Sequence, residues 1–160
     1  MMALIKCRTL YNKEKYIPAD TLIQRPSVYG IILHGETILL GKAAHTSKYV
    51  LPGGGINKGE EVHTALIREV NEETGIDVRV GDFLYFETDF FYYDPLDVAI
   101  HGFLFYYRCE PLTFEIPALD LPSDEDLVSA SWVDVHHLTS ASFQSHGETT
   151  MDLLKQCLER

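Results

Sequence analysis

The chain is short of the features that define several common protein classes. It has three cysteines, Cys7, Cys109 and Cys157, an odd number, widely spaced and with no pair at metal-ligand separation. Neither a disulfide framework nor a cysteine-built zinc site is therefore indicated, and reduced thiols in a cytoplasm are expected. No apolar run approaches the roughly 18 residues of a membrane-spanning helix, and the N-terminus lacks a signal-peptide pattern, so a cytoplasmic protein without a membrane partner is expected. Basic residues are scarce, with 13 Lys and Arg against 24 Asp and Glu and a formal net charge of −11. That balance argues against a nucleic-acid polymer as partner, because basic patches supply most of such affinity. A phosphorylated small molecule would also be repelled unless cations intervene.

With 46% apolar residues over 160 positions, the composition fits one globular domain, 1–160, since a domain near that size buries about 70% of its unfolded surface. Residues 1–26 alternate weakly and are interrupted by Pro18 and Pro26, which predicts an N-terminal strand or loop cover. The apolar run from Val28 to Leu33, the turn at Gly35-Glu36 and the run Thr37 to Leu40 predict a β-hairpin. A polar loop carrying Lys42, His45 and Lys48 follows, then a short strand, Tyr49 to Leu51, that runs into Pro52. Strands are also expected over Ile76 to Phe86, Val98 to Tyr107 and Leu127 to Val135, with a closing helix over Glu148 to Glu159. No repeat is visible.

The chemistry concentrates between Leu51 and Ile76. Gly53-Gly54-Gly55 makes a turn in which the backbone can approach a ligand and expose its carbonyls. A helix is expected from Glu60 to Thr74, with Val62, Ala65, Leu66 and Val70 on one apolar stripe and Gly75 as its C-cap. Glu69 and Glu73 project from the middle of that stripe, Glu72 sits at its edge, and Arg68 is placed for an i,i+4 pair with Glu72. A buried unpaired carboxylate costs several kcal/mol, roughly, so these acids call for a positive partner. Hard oxygen ligands at i, i+3 and i+4 suit Mg²⁺ or Mn²⁺, joined by a backbone carbonyl of Gly54 or Gly53.

Gly54, five residues, Glu60, seven residues and then Arg68-Glu69-Val70-Asn71-Glu72-Glu73-Thr74-Gly75-Ile76 resembles the complete signature of the Nudix hydrolases. The resemblance implies an α/β (α+β) fold, a Nudix-type α/β/α sandwich around a central mixed β-sheet. It also implies a divalent ion as cofactor and hydrolysis of a nucleoside diphosphate linked to another group. On this basis Glu69, Glu73, Glu72 and the Gly54 carbonyl are the expected metal set. Glu72, Glu125 and Arg68 form the candidate catalytic set, with Glu72 or Glu125 as base and Asp124 and Asp126 as competitors, since Nudix enzymes commonly carry an acid near that place. Arg68 and Glu60 are expected to hold helix and turn together, and Gly75 to end the helix.

Substrate choice is expected to lie in the Lys42 to Tyr49 loop, with Lys42, Lys48 and Tyr49 as candidate substrate contacts, in the aromatic run from Phe83 to Tyr93, and in the proline-rich loop ending at Glu125. A nucleoside triphosphate or related nucleotide leads; ADP-ribose, dinucleoside polyphosphates and nucleotide sugars are alternatives. Tyr49 stands where tryptophan is common in the family and Asn57 where an acid is frequent, which leaves the subfamily open. The rival of another class is a non-catalytic module that senses a nucleotide, expected to have lost acids that this chain keeps. The aromatic hairpin could bury itself in a homodimer, and the seven histidines read as surface residues.

Overall fold

The strands and helices follow the periods written in the sequence, two along the strands and near 3.6 along the helices. In a computed structural model, which describes residues 2–118 and 127–160, the order is β1 (Leu4–Thr9), β2 (Glu14–Pro18), β3 (Ile23–His34), β4 (Thr37–Ala43), β5 (Tyr49–Val50), β6 (Gly53–Gly55), α1 (Val62–Thr74), β7 (Val78–Tyr93), β8 (Val98–Pro111), β9 (Leu127–Asp134) and α2 (Gly147–Leu158). The strands form one curled mixed sheet in the order β2-β1-β7-β8-β3-β4-β5, with β6 paired to β3 and β9 to β4. Two of its pairings are parallel, β1 with β7 and β3 with β8.

Alternation along β3 and β4 separates two cores. Val28, Ile32 and Leu39 point towards α1 and meet Ala65, Leu66 and Val70. Ile31, Ile38 and Leu40 point the other way and meet Phe143, Leu153 and Leu154 around α2. The central strands are thus covered on both faces, which explains why they read as continuous apolar runs. Helix α1 stops at Gly75, which takes φ 74° and donates its N–H to the Asn71 carbonyl, the left-handed cap that favours glycine.

The N-terminal segment is more than a single strand. Residues 4–18 form a hairpin whose first strand docks in parallel against β7, Arg8 beside Phe91 and Thr9 beside Tyr92. Strand β3 then begins at Ile23 and passes through Pro26, whose carbonyl still accepts from Ile56 N at 3.0 Å. The β7–β8 hairpin is far longer than the apolar pattern suggests. It continues to Tyr93 and returns through a 3-10 turn at Asp94–Leu96. Among the described residues, no helix is long and apolar enough to cross a membrane.

Candidate active site

Pairing of β6 with β3 sets Gly54 opposite Val28 and lays the glycine turn against the acidic side of α1. There is no room for side chains at this junction. Gly53 takes φ 147°, and a Cβ on it would collide with the Val28 carbonyl; one on Gly54 would stand 2.8 Å from the Glu69 carboxyl. The Gly53 N–H donates to Glu73 Oε2 at 3.2 Å, so turn and helix are tied by the acids themselves.

Arg68 organises the rest. Its Nε and Nη2 donate to the two Glu60 oxygens at 2.7 and 2.9 Å, its Nη1 to Glu69 at 2.9 Å and Glu72 at 3.1 Å, and its Nη2 also to the Gly55 carbonyl at 3.2 Å. All the N–H groups of the guanidinium are thereby used. The bonds from Arg68, followed by the backbone N–H of Asn57, hold the Glu60 carboxyl down to about 2. In return the bond to Glu60, ahead of those to Glu69, pushes the Arg68 guanidinium up, and it stays charged at any relevant pH. Glu60 and Arg68, expected to hold helix and turn together, are thus in contact, and Gly75 stands at the end of α1.

Three carboxylates, Glu60, Glu69 and Glu72, thus share one guanidinium, and Glu73 stands beside them on the Gly53 N–H. The donor chemistry suits a hard divalent ion, since hard oxygens and exposed glycine carbonyls are the ligands Mg²⁺ and Mn²⁺ prefer. In the arrangement seen, no three acids among the described residues converge as a ready chelate, because Arg68 draws Glu69 and Glu72 onto a single nitrogen, Nη1.

Glu69, Glu72 and Glu73 line one end of a cavity of about 670 Å³ that runs across the sheet from β6 over β3 and β8 to β7 and β1. Arg25 stands beside the acids, its Nε and Nη2 within 2.8 Å of where a Gly55 Cβ would be, and it makes no ion pair among the described residues. The far end is apolar and aromatic, with Leu10, Phe91, Tyr93, Leu96 and Ile100 in the wall.

Between the two ends lies a second polar cluster. His146, at the start of α2, places Nδ1 3.0 Å from Glu87 Oε1 and Nε2 2.8 Å from Asp89 Oδ2. Arg8 donates to the same Asp89 oxygen at 3.1 Å and lies over the Phe91 ring, 4.8 Å from its centre. Tyr106 O–H donates to Glu87 at 2.8 Å; burial first, and then Glu87, pushes that phenol up, so it remains a donor. Burial alone would raise the Asp89 carboxyl, but His146 and Arg8 outweigh it and hold the group below the usual carboxylate range.

Several expected site residues lie elsewhere. Lys42, Lys48 and Tyr49 are not in the cavity wall, which takes Ala43, Val50 and Leu51 from that region instead. Lys42 instead lies by Tyr49, its ammonium 5.9 Å from that ring, and Tyr49 packs against the α2-side core. Glu125, with Asp124 and Asp126, lies outside the described residues. Of the aromatic run, Phe91 and Tyr93 line the cavity while Phe83 and Phe86 are exposed. His146 is not a surface residue. It was missed, with Arg8, Arg25 and Asp89, because the first 26 residues read as a cover and no local spacing joins positions brought together by non-neighbouring strands. The alternation Arg25, Ser27, Tyr29 was the available signal for Arg25.

A mixed sheet between two helices, with a glycine turn packed on a helix of clustered acids, defines the NUDIX class, and the chain belongs to the NUDIX domain family, which it matches over residues 23–153. It is 27% identical to Nudix hydrolase 6 of Arabidopsis thaliana over 115 residues, 72% of this chain and 38% of that protein. With an RNA pyrophosphohydrolase of Sphingopyxis alaskensis it shares 34% identity over 88 residues, 52% of this chain and 55% of that one. An ADP-ribose pyrophosphatase from Streptococcus suis has a similar fold, with a TM-score of 0.60 at 20% identity, over 84% of this chain and 90% of that one. The chain spans 36% to 51% of the length of the three Arabidopsis relatives it matches.

Proposed function

We propose that the protein is a divalent-metal-dependent hydrolase that cleaves a phosphoanhydride bond in a nucleoside diphosphate derivative, a nucleoside triphosphate or related nucleotide, by attack of water on phosphorus. The observation that carries this reading is the crowding of carboxylates at one end of the cavity, where Glu60, Glu69 and Glu72 share the single guanidinium of Arg68 beside the glycine turn. Such an excess of carboxylate beside an anionic substrate makes sense when a metal ion stands between them. The names of the relatives, an RNA pyrophosphohydrolase and an ADP-ribose pyrophosphatase, share a diphosphate within a nucleotide and support the same class of bond.

Glu69, Glu73, Glu72 and a glycine carbonyl of the turn would hold Mg²⁺ or Mn²⁺. When bound, the ion supplies Lewis acidity towards the diphosphate oxygens and makes water a better nucleophile. The chain's own residues do the remaining work. Arg68 keeps Glu69 and Glu72 on the cavity side of α1. Glu72, with 59% of its side chain exposed against 17% for Glu69, would take a proton from the attacking water, and Glu125 is the second candidate for that role. Arg25 lies in the wall nearest the acids and would meet the phosphate charge that the metal leaves uncovered.

The test is a panel of nucleoside triphosphates, ADP-ribose, dinucleoside polyphosphates and nucleotide sugars, assayed with Mg²⁺, with Mn²⁺ and with chelator. Phosphate or nucleotide release that requires metal is expected. Full activity in chelator overturns the reading, and a panel with no turnover in which one nucleotide raises Tm moves the protein to the class of nucleotide-sensing modules.

A further inference from the structure

We infer that Asp89 is a specificity-determining residue whose free oxygen, Oδ1, accepts a hydrogen bond from the sugar or base of the nucleotide, with Arg8 and His146 as the positioning residues that aim it. This rests on the reading of the cavity as a nucleotide site.

Two carboxylates, Glu87 and Asp89, are neighbours on one face of β7 and differ in their surroundings. Glu87 is saturated: Oε1 takes Tyr106 O–H at 2.8 Å and faces His146 Nδ1 at 3.0 Å, and Oε2 takes Thr149 O–H at 3.2 Å. It does not line the cavity. Asp89 does line it, and both of its cations use one oxygen, Oδ2, with Arg8 Nη2 at 3.1 Å and His146 Nε2 at 2.8 Å. Oδ1 has no hydrogen-bond partner among the described residues. A carboxylate with a purely structural task in a protein interior spends both oxygens on protein donors. Here one is spent on fixing the group and the other is left over in a cavity wall.

The register sets where that oxygen stands. Gly102 of β8 lies opposite Arg25 on one side and opposite Asp89 on the other. With strands roughly 4.8 Å apart, Arg25 and Asp89 are about 10 Å apart across the floor, a span that a ribose and its base cover once the phosphates sit at the acidic end. Gly102 has no side chain to interrupt that floor, and the atom nearest to a Cβ there would be Leu104 Cδ2 at 3.6 Å. The surrounding charges also suit an acceptor. Arg8 from β1 and His146 from α2 face Asp89, Glu87 shares His146, and Tyr106 from β8 faces Glu87. Two carboxylates against Arg8 and an imidazole with both nitrogens facing oxygens keep Asp89 ionised, and an ionised carboxylate accepts only.

The experiment measures binding to the full chain by calorimetry, in Mg²⁺ and again in chelator. The probes are the four ribonucleoside diphosphates, their 2′-deoxy and 3′-deoxy forms, and the purine-riboside diphosphate that lacks the adenine amine. Wild type is expected to lose about 10- to 100-fold in affinity for one donor-lacking form, the cost of a missing hydrogen bond to a charged group. The sugar and base forms tell which donor it is. In D89N the amide turns its oxygen to the two cations and its NH₂ to the cavity, replacing acceptor by donor, so discrimination between parent and analogue should vanish and the steady-state defect should fall on KM rather than kcat. The inference is overturned if no analogue loses more than about threefold on wild type, or if D89N discriminates as wild type does. Should D89N fail to fold, the wild-type analogue series decides alone, and Gly102→Leu, which fills the notch beside Asp89, should weaken every nucleotide. Metal-dependent turnover is measured separately, so the hydrolase reading can fail while this one stands.

Discussion

The two polar clusters of the cavity differ in charge balance, and that difference separates chemistry from scaffolding. At the start of α1 and along it, Glu60, Glu69 and Glu72 meet one cation, Arg68. Between β7 and α2, Glu87 and Asp89 meet Arg8 and His146. The second cluster sets two carboxylates against a guanidinium and an imidazole, whereas the first sets three carboxylates against one guanidinium. Removing a charge should therefore cost function at the first site and stability at the second.

The largest expected effect is at the unbalanced end. Glu73→Gln should lower metal-dependent turnover about 100- to 1000-fold, while the amide oxygen can still accept from the Gly53 N–H and keep the turn tied to the helix. Wild-type turnover in this variant, measured on the best substrate of the panel, would break the comparison. Arg25→Ala should follow, raising KM about tenfold through one lost charge-assisted contact to phosphate, with a smaller change in kcat; an unchanged KM places Arg25 outside the substrate path.

At the balanced end, His146→Gln leaves Glu87 and Asp89 without the imidazole that joins them. A loss of about 2 kcal/mol is expected, below the range for breaking a buried pair because the cluster is partly open to solvent, or a Tm lower by about 4–8 °C in a scanning melt. An unaltered Tm would remove the contrast between the clusters.

A smaller effect appears in acid. Glu60 is held at about 2 against an ordinary 4.5, a depressed folded value, so its contribution is present above the ordinary value and is lost as pH falls towards about 2. The gap in denaturant midpoint between wild type and Glu60→Gln should be full at neutral pH and close through that window; a gap independent of pH would mean that Arg68 does not act on Glu60 through charge. Smallest of all, Lys42→Ala and Lys48→Ala should leave KM within about twofold, since both side chains stand outside the cavity wall.

Helix α1, its glycine cap and the Glu60–Arg68 tie were legible because they are local. Residues at i+3 and i+4 meet by helix geometry alone, Glu60 reaches Arg68 from the turn just before the helix, and a turn that admits no side chain has to be glycine. The β3–β4 hairpin and the last strand and helix were legible for the same reason, as periodic runs with turn residues between them. The N-terminal hairpin was not, since β1 earns its place by parallel pairing with a strand some eighty residues away, and nothing within residues 4–9 announces it. Which residues of β4 and β5 line the cavity was equally hidden, so Lys42 and Tyr49 were favoured over Ala43 and Val50.

What the amino-acid sequence determined by itself is the acidic helix, the glycine turn against it and hence the family, because those contacts span fewer than 25 residues and follow from backbone geometry. Tertiary structure alone decided the rest of the cavity. The pairing of β1, β7, β8 and β3 sets Arg8, Asp89 and Arg25 in one wall and brings α2 back over them with His146. Long-range strand register, unlike helical spacing, is settled by which faces can be buried together.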